Sequence, residues 1–242
     1  MFDDLYTIFD FDGTLIDSMP LHRTAWIDVC SQHGSHTDQD EVGRIYDNDL
    51  SIGAMSGIVK VRRLIELGLL HDGSESELEV LLRHKEQRAE DFIYQTAQPL
   101  PGADAFLADL AAAEVPMALA TTAPRNAGVP ALRRLGWERY FADHTVFRDD
   151  VRNPTKPEPE YYQRAVQLLG GRTDAMVVVF EDSKPGFDGV QRTEGLGQQP
   201  YKLVAVTKNT ALAQSYSPIV IIPDFTQFTV QKLREHLKGY RV

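Results

Sequence analysis

Two aspartates near the start of the chain, Asp10 and Asp12, have the spacing that lets carboxylates act together. They follow residues 5–9, an apolar run that is typical of a buried strand. Side chains two residues apart on a strand point to the same side, and Gly13 then allows the chain to turn away. We therefore expect both carboxylates at the carboxyl end of the strand, where open α/β sheets bind ligands. Two such charges imply a bound cation, a shared proton or divided chemical roles.

A polar turn after a strand would also place Asp and Gly here, so this pair alone does not establish chemistry. Three later segments add reactive groups. In chain order they offer Thr121 and Thr122, then Lys156, then the adjacent acids Glu181 and Asp182. A hydroxyl at a strand end, next to backbone amides, can hold a phosphate oxygen. Adjacent acids after an apolar strand need a cation or hydrogen bonds to receive their charge.

The four segments, taken in this order, resemble the four signatures of the haloacid dehalogenase-like hydrolase superfamily. They read DFDGT from residue 10, ATT from residue 120, TKPEP from residue 155 and EDS from residue 181. The resemblance implies that Asp10 is a nucleophile, that Asp12 is the general acid and base, and that Lys156 offsets negative charge. It also implies a phosphate-binding set, which consists of Gly13, Thr121, Thr122 and Lys156.

The same resemblance implies a magnesium ion at the carboxyl edge of the sheet. Its ligands would be Asp10, the backbone carbonyl of Asp12, and Asp182, with Glu181 in the metal shell or just behind it. Such oxygen ligands are the ones that magnesium prefers. The implied reaction is the Mg²⁺-dependent hydrolysis of a small phosphorylated metabolite, such as a sugar phosphate, through an aspartyl-phosphate on Asp10.

The residues present fit the other activities of the superfamily less well than phosphate hydrolysis. Dehalogenases attack carbon and typically lack the second aspartate, because a halide leaves without a proton, so Asp12 favours phosphoryl transfer. A member that cleaves phosphonates would carry a Schiff-base lysine in its cap, and the sequence around Lys60 and Lys85 marks neither as desolvated. A catalytically idle binding or regulatory relative is disfavoured because every charged signature residue is retained.

Residues 19–97 show helical patterns and no persuasive strand, with helices expected at residues 21–33, 59–70 and 76–94. This insertion resembles the alpha-helical cap of the subgroup that contains beta-phosphoglucomutase and many sugar-phosphate phosphatases. The resemblance implies substrate contacts for His22 and Lys85. Residues 45–51 lack the glycine followed by a small polar and a basic residue that the mutases show near this place. We therefore favour a phosphatase and keep a beta-phosphoglucomutase-type phosphomutase as the alternative.

From residue 99 onward, strands alternate with helices, which predicts an α/β fold with a doubly wound, mostly parallel, Rossmann-like sheet. The expected domains are a catalytic core of residues 1–16 and 98–242 and an inserted helical cap domain of residues 17–97. The later strands are expected at residues 115–120, 145–147, 176–180, 203–206 and 219–222. The later helices are expected at residues 103–113, 128–135, 158–169 and 226–237, and an irregular surface loop at residues 195–200.

The composition of the chain indicates which kinds of binding partner to expect. The 242 residues include 25 basic and 35 acidic ones, and the formal charge of −10 argues against a surface for nucleic acid or anionic membrane. No apolar run approaches the roughly 20 residues of a membrane-spanning helix, so a cytoplasmic protein is expected. Cys30 is the single cysteine and is expected to be a packed, inert thiol. The sequence predicts neither the oligomeric state nor which phosphorylated substrate is used.

Overall fold

The chain folds into two units built from different parts of the sequence. One consists of Met1–Asp17 with Gln98–Val242, and the other of Ser18–Ala97. We call the first the sheet unit and the second the helical unit. The computed structural model describes residues 5–48, 57–153, 155–197 and 200–240. None of the helices in these ranges combines the length and the apolar character that a bilayer span requires.

The sheet unit contains six parallel strands in the order β3-β2-β1-β4-β5-β6. They are β1 Leu5–Phe9, β2 Met117–Ala120, β3 Thr145–Val146, β4 Met176–Glu181, β5 Tyr201–Val206 and β6 Val220–Ile222. This confirms the predicted doubly wound α/β fold, since the strand order reverses between β1 and β4. β2 begins later than expected, because Pro116 has no backbone N–H to donate to a ladder.

β1 lies in the middle of the sheet and is buried along its whole length. It pairs with β2 through Ile8 and Ala118, and with β4 through Phe9 and Phe180. Strands covered on both faces are apolar at every position rather than at alternate ones, which explains the continuous run in the sequence. The register brings the carboxyl ends of β1, β2 and β4 to the same edge of the sheet.

Seven α-helices accompany this sheet in the described residues. They are α6 Ala103–Ala112, α7 Arg125–Arg134, α8 Glu138–Phe141, α9 Glu160–Leu168, α10 Lys184–Glu194, α11 Thr210–Gln214 and α12 Val230–Leu237. α7 begins earlier than the expected residue 128 and contains Pro130 in its interior. α12 begins later than the expected residue 226, because the Thr229 side chain caps it by accepting a hydrogen bond from the Lys232 N–H. Within the expected loop at residues 195–200, Gln198 and Gln199 lie outside the described residues.

The helical unit has its own apolar core, centred on Trp26, Val61 and Leu64. Its helices are α1 Met19–His33, α2 Gln39–Asn48, α3 Gly57–Glu66, α4 Glu75–Arg88 and α5 Tyr94–Thr96, with a π-helical segment Ala89–Ile93 before α5. The expected helix 59–70 is too long, since α3 ends before Gly68, whose φ of 73° no helix residue adopts. The expected helix 76–94 is interrupted by the π-helical segment, and α2 was not predicted. Residues 49–51 of the segment that argued against a mutase lie outside the described residues.

Candidate active site

Asp10 directly follows β1 and is held in place by the sheet. Its backbone N–H donates to the Phe180 carbonyl of β4 at 3.0 Å, which continues the parallel pairing one residue beyond the strand. Only 6% of its surface is exposed. The chain then turns at Gly13, which has a φ of 78° and donates its N–H to the Ile16 carbonyl at 2.9 Å. A carboxylate on such a well-ordered backbone has little freedom to move.

Lys156 joins three strand ends through one ammonium group. Its Nζ donates to Asp10 Oδ1 at 2.5 Å, to the Ala120 carbonyl at 3.2 Å and to Glu181 Oε1. These acceptors follow or end β1, β2 and β4, and only 6% of the lysine side chain is exposed. These contacts hold the Lys156 side chain in one direction. Pro154, in the loop before it, lies outside the described residues.

Glu181 is completely buried at the end of β4, and its carboxylate is surrounded by donors. Besides Lys156, it accepts a hydrogen bond from the Tyr162 hydroxyl of α9 at 2.9 Å and one from Ser183 Oγ at 3.4 Å. The Asp182 backbone N–H is 3.3 Å from Oε2. With its oxygens engaged in this way, Glu181 fixes the position of Lys156.

Asp182 lies between β4 and α10, beside the Asp10 carboxylate. Thr14 Oγ1, which is fully buried, donates to Asp182 Oδ1 at 3.4 Å and so connects the turn after β1 to the end of β4. The next residue, Ser183, caps α10 by accepting from the Gly186 N–H at 3.2 Å. This cap sets the direction in which the chain leaves the site.

The electrostatics of the site follow from several carboxylates gathered around one ammonium group. Burial raises the pKa of Asp10 from 3.8 to about 8, against the lowering effect of Lys156, and the charges of Glu181 and Asp12 raise it further. Burial, followed by the charges of Asp10 and Glu181, also holds the pKa of Asp182 well above its usual range. Burial alone would lower the pKa of Lys156, but the neighbouring carboxylates raise it above its ordinary value. The site thus has a deficit of positive charge.

A divalent cation would remove this deficit. Oxygen atoms of Asp10, Glu181 and Asp182 lie within 4.8 Å of one another, close enough to surround one ion. All three donors are carboxylates, which suit a hard cation such as magnesium or calcium better than a thiophilic metal. The residues present therefore fit a metal site, and they include three of the four expected ligand residues. The fourth, Asp12, was expected to contribute its backbone carbonyl.

The two threonines after β2 differ in their surroundings. Thr121 is fully buried, and its Oγ1 accepts from the Ala123 N–H at 3.0 Å. Thr122 is exposed. Because Thr121 follows Ala120, whose carbonyl accepts from Lys156, its hydroxyl belongs to the same edge as the acidic group. The sequence analysis named both hydroxyls as phosphate ligands, and the structure shows that only that of Thr121 is buried at this edge.

The expected substrate contacts of the helical unit lie beside each other. Lys85 Nζ is 2.9 Å from His22 Nδ1, across α1 and α4. Lys60, in contrast, is buried in α3. Nothing in the sequence around Lys60 marked it as desolvated, whereas the structure shows that it is buried.

Sequence reasoning missed Tyr162, Thr14 and Gly186 as parts of the site. Tyr162 was indistinguishable from a core aromatic, because its neighbours in α9 have helical apolar spacing and its hydroxyl has no sequence signal. Gly186 is close to Glu181, so that any side chain at this position would overlap the carboxylate. A glycine five residues after a strand end is a weak signal of such an approach.

Comparison with known proteins agrees with this geometry. The family model for haloacid dehalogenase-like hydrolases matches residues 7–190. A phosphorylated carbohydrates phosphatase of Thermotoga maritima is 30% identical over 194 residues, which cover 78% of this chain and 83% of that protein. A fructose-1-phosphate phosphatase of Escherichia coli is 29% identical and covers 76% of this chain and 89% of its own length.

A solved structure shows the same fold. The beta-phosphoglucomutase of Clostridium difficile superposes with a TM-score of 0.69 over 97% of each chain, at 21% sequence identity. The family match spans well over half of the chain and includes all the residues of the acidic group. On this evidence the chain belongs to the haloacid dehalogenase-like hydrolase family.

Proposed function

We propose that the chain is a Mg²⁺-dependent phosphatase that hydrolyses small phosphorylated carbohydrates through an aspartyl-phosphate on Asp10. The observation that carries the proposal is the buried contact between Asp10 and Lys156, beside Asp182 and Glu181 at the carboxyl edge of the sheet. The curated relatives named above, which are phosphatases of phosphorylated carbohydrates, support the substrate class.

The first step forms a bond between an Asp10 carboxylate oxygen and the substrate phosphorus, while the bond from phosphorus to the leaving oxygen breaks. Asp12 gives its proton to that oxygen, so the product leaves as an alcohol. In the second step a water attacks the aspartyl-phosphate, and Asp12 takes the proton of that water. Inorganic phosphate leaves and the Asp10 carboxylate is restored.

The other residues have roles that match their contacts. Lys156 offsets the charge of the phosphoryl group. Glu181 is a positioning residue that holds Lys156, and Tyr162 in turn holds Glu181. Thr121 and the turn at Gly13 contribute phosphate contacts, with exposed Thr122 in a lesser role. Asp10, Asp182 and the Asp12 carbonyl would hold the metal, with Glu181 in its shell or just behind it. Bound Mg²⁺ supplies positive charge that keeps Asp10 ionised and reduces its repulsion of the phosphate.

The helical unit has the role of a cap domain in this proposal, and His22 and Lys85 contact the substrate. A phosphomutase would use the same sheet unit but transfer the phosphoryl group to a sugar phosphate instead of water. Asp12 serves both reactions, so product analysis has to separate them.

The test is a hydrolysis assay over a panel of sugar phosphates, phosphoglycolate and nucleotides, with Mg²⁺ or with a chelator. We expect release of inorganic phosphate only with Mg²⁺ and no measurable activity for Asp10→Asn. Asp109→Asn, a change of the same kind at an exposed position of α6, should retain full activity. Turnover without a metal, or an active Asp10→Asn variant, would overturn the proposal. Conversion of beta-glucose 1-phosphate to glucose 6-phosphate, with a bisphosphate primer, would identify a mutase instead.

A further inference from the structure

The loop that carries Thr121, residues 121–124, is held by the segment that follows β3. This segment is a short 3₁₀ helix, Arg148–Asp150. The Thr121 hydroxyl accepts a hydrogen bond from the Ala123 N–H, and the Ala123 carbonyl accepts one from the Arg148 N–H at 3.0 Å. The buried hydroxyl therefore takes its orientation from a residue whose backbone is fixed by the 3₁₀ helix.

The start of α7 contacts the same 3₁₀ helix at a second point. The residue before α7 is Pro124, whose side chain does not cap the helix. The Arg125 N–H donates instead to Asp149 Oδ2 at 2.6 Å. A side-chain acceptor at this place, close to the positive end of the helix dipole, stabilises a helix by about 0.5–2 kcal/mol. Asp149 therefore supplies, from a distant part of the sequence, the cap that Pro124 cannot provide.

Asp150 and Phe147 add two further contacts to this connection. The Phe147 N–H donates to Asp150 Oδ2 at 2.8 Å, and the Arg125 guanidinium donates to the same oxygen at 2.5 Å. The guanidinium also lies 4.8 Å from the centre of the buried Phe147 ring. The Arg125 side chain is 47% exposed, so its ion pair contributes only about 0–1 kcal/mol. The loss of the Asp149 cap should therefore matter more than the loss of this ion pair.

We propose that Asp149 is a positioning residue for the bound phosphate group, and that it acts by capping α7 and so fixing the loop at residues 121–124. This inference rests on the proposed function, because it takes Thr121 and Lys156 as phosphate contacts. Lys156 donates to the carbonyl of Ala120, directly before Thr121. Both phosphate contacts therefore depend on the place where β2 ends and this loop begins.

The proposed metal ligands follow other strands. Asp10 follows β1 and Asp182 follows β4, whereas Thr121 follows β2 and Asp149 comes after β3. In the sheet order β3-β2-β1-β4, the cap and the phosphate contact of Thr121 thus lie on one side, and the two metal ligands on the other. Loss of the cap should weaken the binding of phosphate and leave that of Mg²⁺ nearly unchanged. A general loss of structure would weaken both.

The test measures these two affinities separately in the full-length protein. Titration calorimetry gives the Kd for Mg²⁺ and then the Kd for inorganic phosphate at saturating Mg²⁺. For Asp149→Ala we expect the Kd for phosphate to rise about tenfold, which is equivalent to about 1.4 kcal/mol and within the range for a lost cap. The Kd for Mg²⁺ should change less than about twofold. In the hydrolysis assay, kcat/KM should fall by about the same factor as the phosphate affinity.

Two further variants identify the cause of the loss. Asp149→Asn keeps an acceptor oxygen, and since Asn caps helices about as well as Asp, its phosphate affinity should stay within about twofold of the wild type. Asp143→Ala is the matched control, because it removes the same charge at an exposed position in the turn before β3. It should leave both affinities unchanged. Thermal unfolding of each variant checks that it folds.

The outcomes separate this inference from the proposed function. The role of Asp149 is overturned if Asp149→Ala keeps its phosphate affinity or loses affinity for phosphate and Mg²⁺ alike, even where the wild type is an active phosphatase. Failure of Asp149→Asn to restore the affinity assigns the effect to charge and overturns capping. The expected loss in a protein that hydrolyses none of the panel supports the role of Asp149 and rejects the proposed function. A wild type that binds no phosphate with Mg²⁺ overturns both.

Discussion

Gly186, in the first turn of α10, is the residue whose substitution tests the construction of the site most directly. A Cβ at this position would overlap both carboxylate oxygens of Glu181. That carboxylate is held by Lys156, Tyr162 and Ser183. Gly186→Ala therefore forces Glu181 away from these donors or forces the start of α10 away from β4. Either movement disturbs the site although Gly186 itself carries no chemical group.

The magnitude follows from the contacts that are lost. Glycine to alanine within a helix normally stabilises a protein by about 0.5–1 kcal/mol, so the sign expected here is the opposite one. Separating a buried carboxylate from its lysine costs about 3–5 kcal/mol. The Tyr162 hydroxyl left without its acceptor costs about 1–3 kcal/mol, but the two costs overlap because they share Glu181. We therefore expect the free energy of unfolding to fall by about 3–5 kcal/mol, and kcat/KM to fall about 100-fold as Lys156 is displaced.

Urea unfolding followed by tryptophan fluorescence measures the loss of stability, and hydrolysis of the best substrate of the panel measures the loss of activity. Gly195→Ala, at the other end of α10, is the matched control. A Cβ there meets only the carbonyl oxygens of Gln191 and Arg192, at 3.4 and 3.5 Å, so stability should stay within about 1 kcal/mol of the wild type. If Gly186→Ala is also within about 1 kcal/mol and keeps its activity, the reasoning from the Glu181 contacts is refuted.

Three further predictions use other groups. Tyr162→Phe removes a donor from Glu181 and should lower the free energy of unfolding by about 1–3 kcal/mol in urea; no loss would contradict its role. Because burial raises the pKa of Asp10 to about 8 without a cation, its carboxyl group is protonated below that pH and Mg²⁺ must displace the proton. The rise in Tm caused by Mg²⁺ should therefore grow from pH 6 to pH 8, and calorimetry in two buffers of different ionisation enthalpy should detect the released proton; identical heats would count against this. Burial raises the pKa of the Cys30 thiol to about 12, so thiol reagents should modify it only in urea, and rapid labelling of the native protein would disprove this.

The parts of the fold that depend on continuous hydrophobic runs were predictable from the sequence. β1 and β4 are buried on both faces, so their residues are apolar except for Thr7 and the final Glu181, and each run ends at an acidic residue. Helix ends were predicted less well, since they depend on single residues. The Thr229 side chain sets the start of α12, and the conformation of Gly68 follows the end of α3. Such local hydrogen bonds and backbone angles leave little trace in a hydrophobic pattern.

The residues of the candidate site were likewise predictable only in part. Asp10 and Asp182 were found because charged residues that follow apolar strands are conspicuous, whereas Lys156 was identified by the resemblance of its loop to a family signature. The environments of Tyr162 and Lys60 were not predicted, for opposite reasons. The hydroxyl of Tyr162 is hidden in an aromatic residue that suits a core, and the charge of Lys60 suggested a solvated helix face until the packing of α3 showed otherwise. Both environments are determined by tertiary packing. Because this packing brings together residues that are far apart in the sequence, a local pattern does not predict it.

The central place of β1 also has a consequence for how the protein is made. Phe9 pairs with Leu119 of β2 and Phe180 of β4, so β1 cannot gain both partner strands until β4 has been synthesised, more than two thirds of the chain later. At ordinary rates of synthesis that interval lasts roughly 10–30 s, during which β1 lacks at least one of its two partner strands. The helical unit, whose core uses only residues between these strands, can fold within that time. Nascent chains should therefore depend on chaperones until β4 emerges, and mutations that delay β4 should reduce the yield of folded protein more than their effect on final stability would suggest.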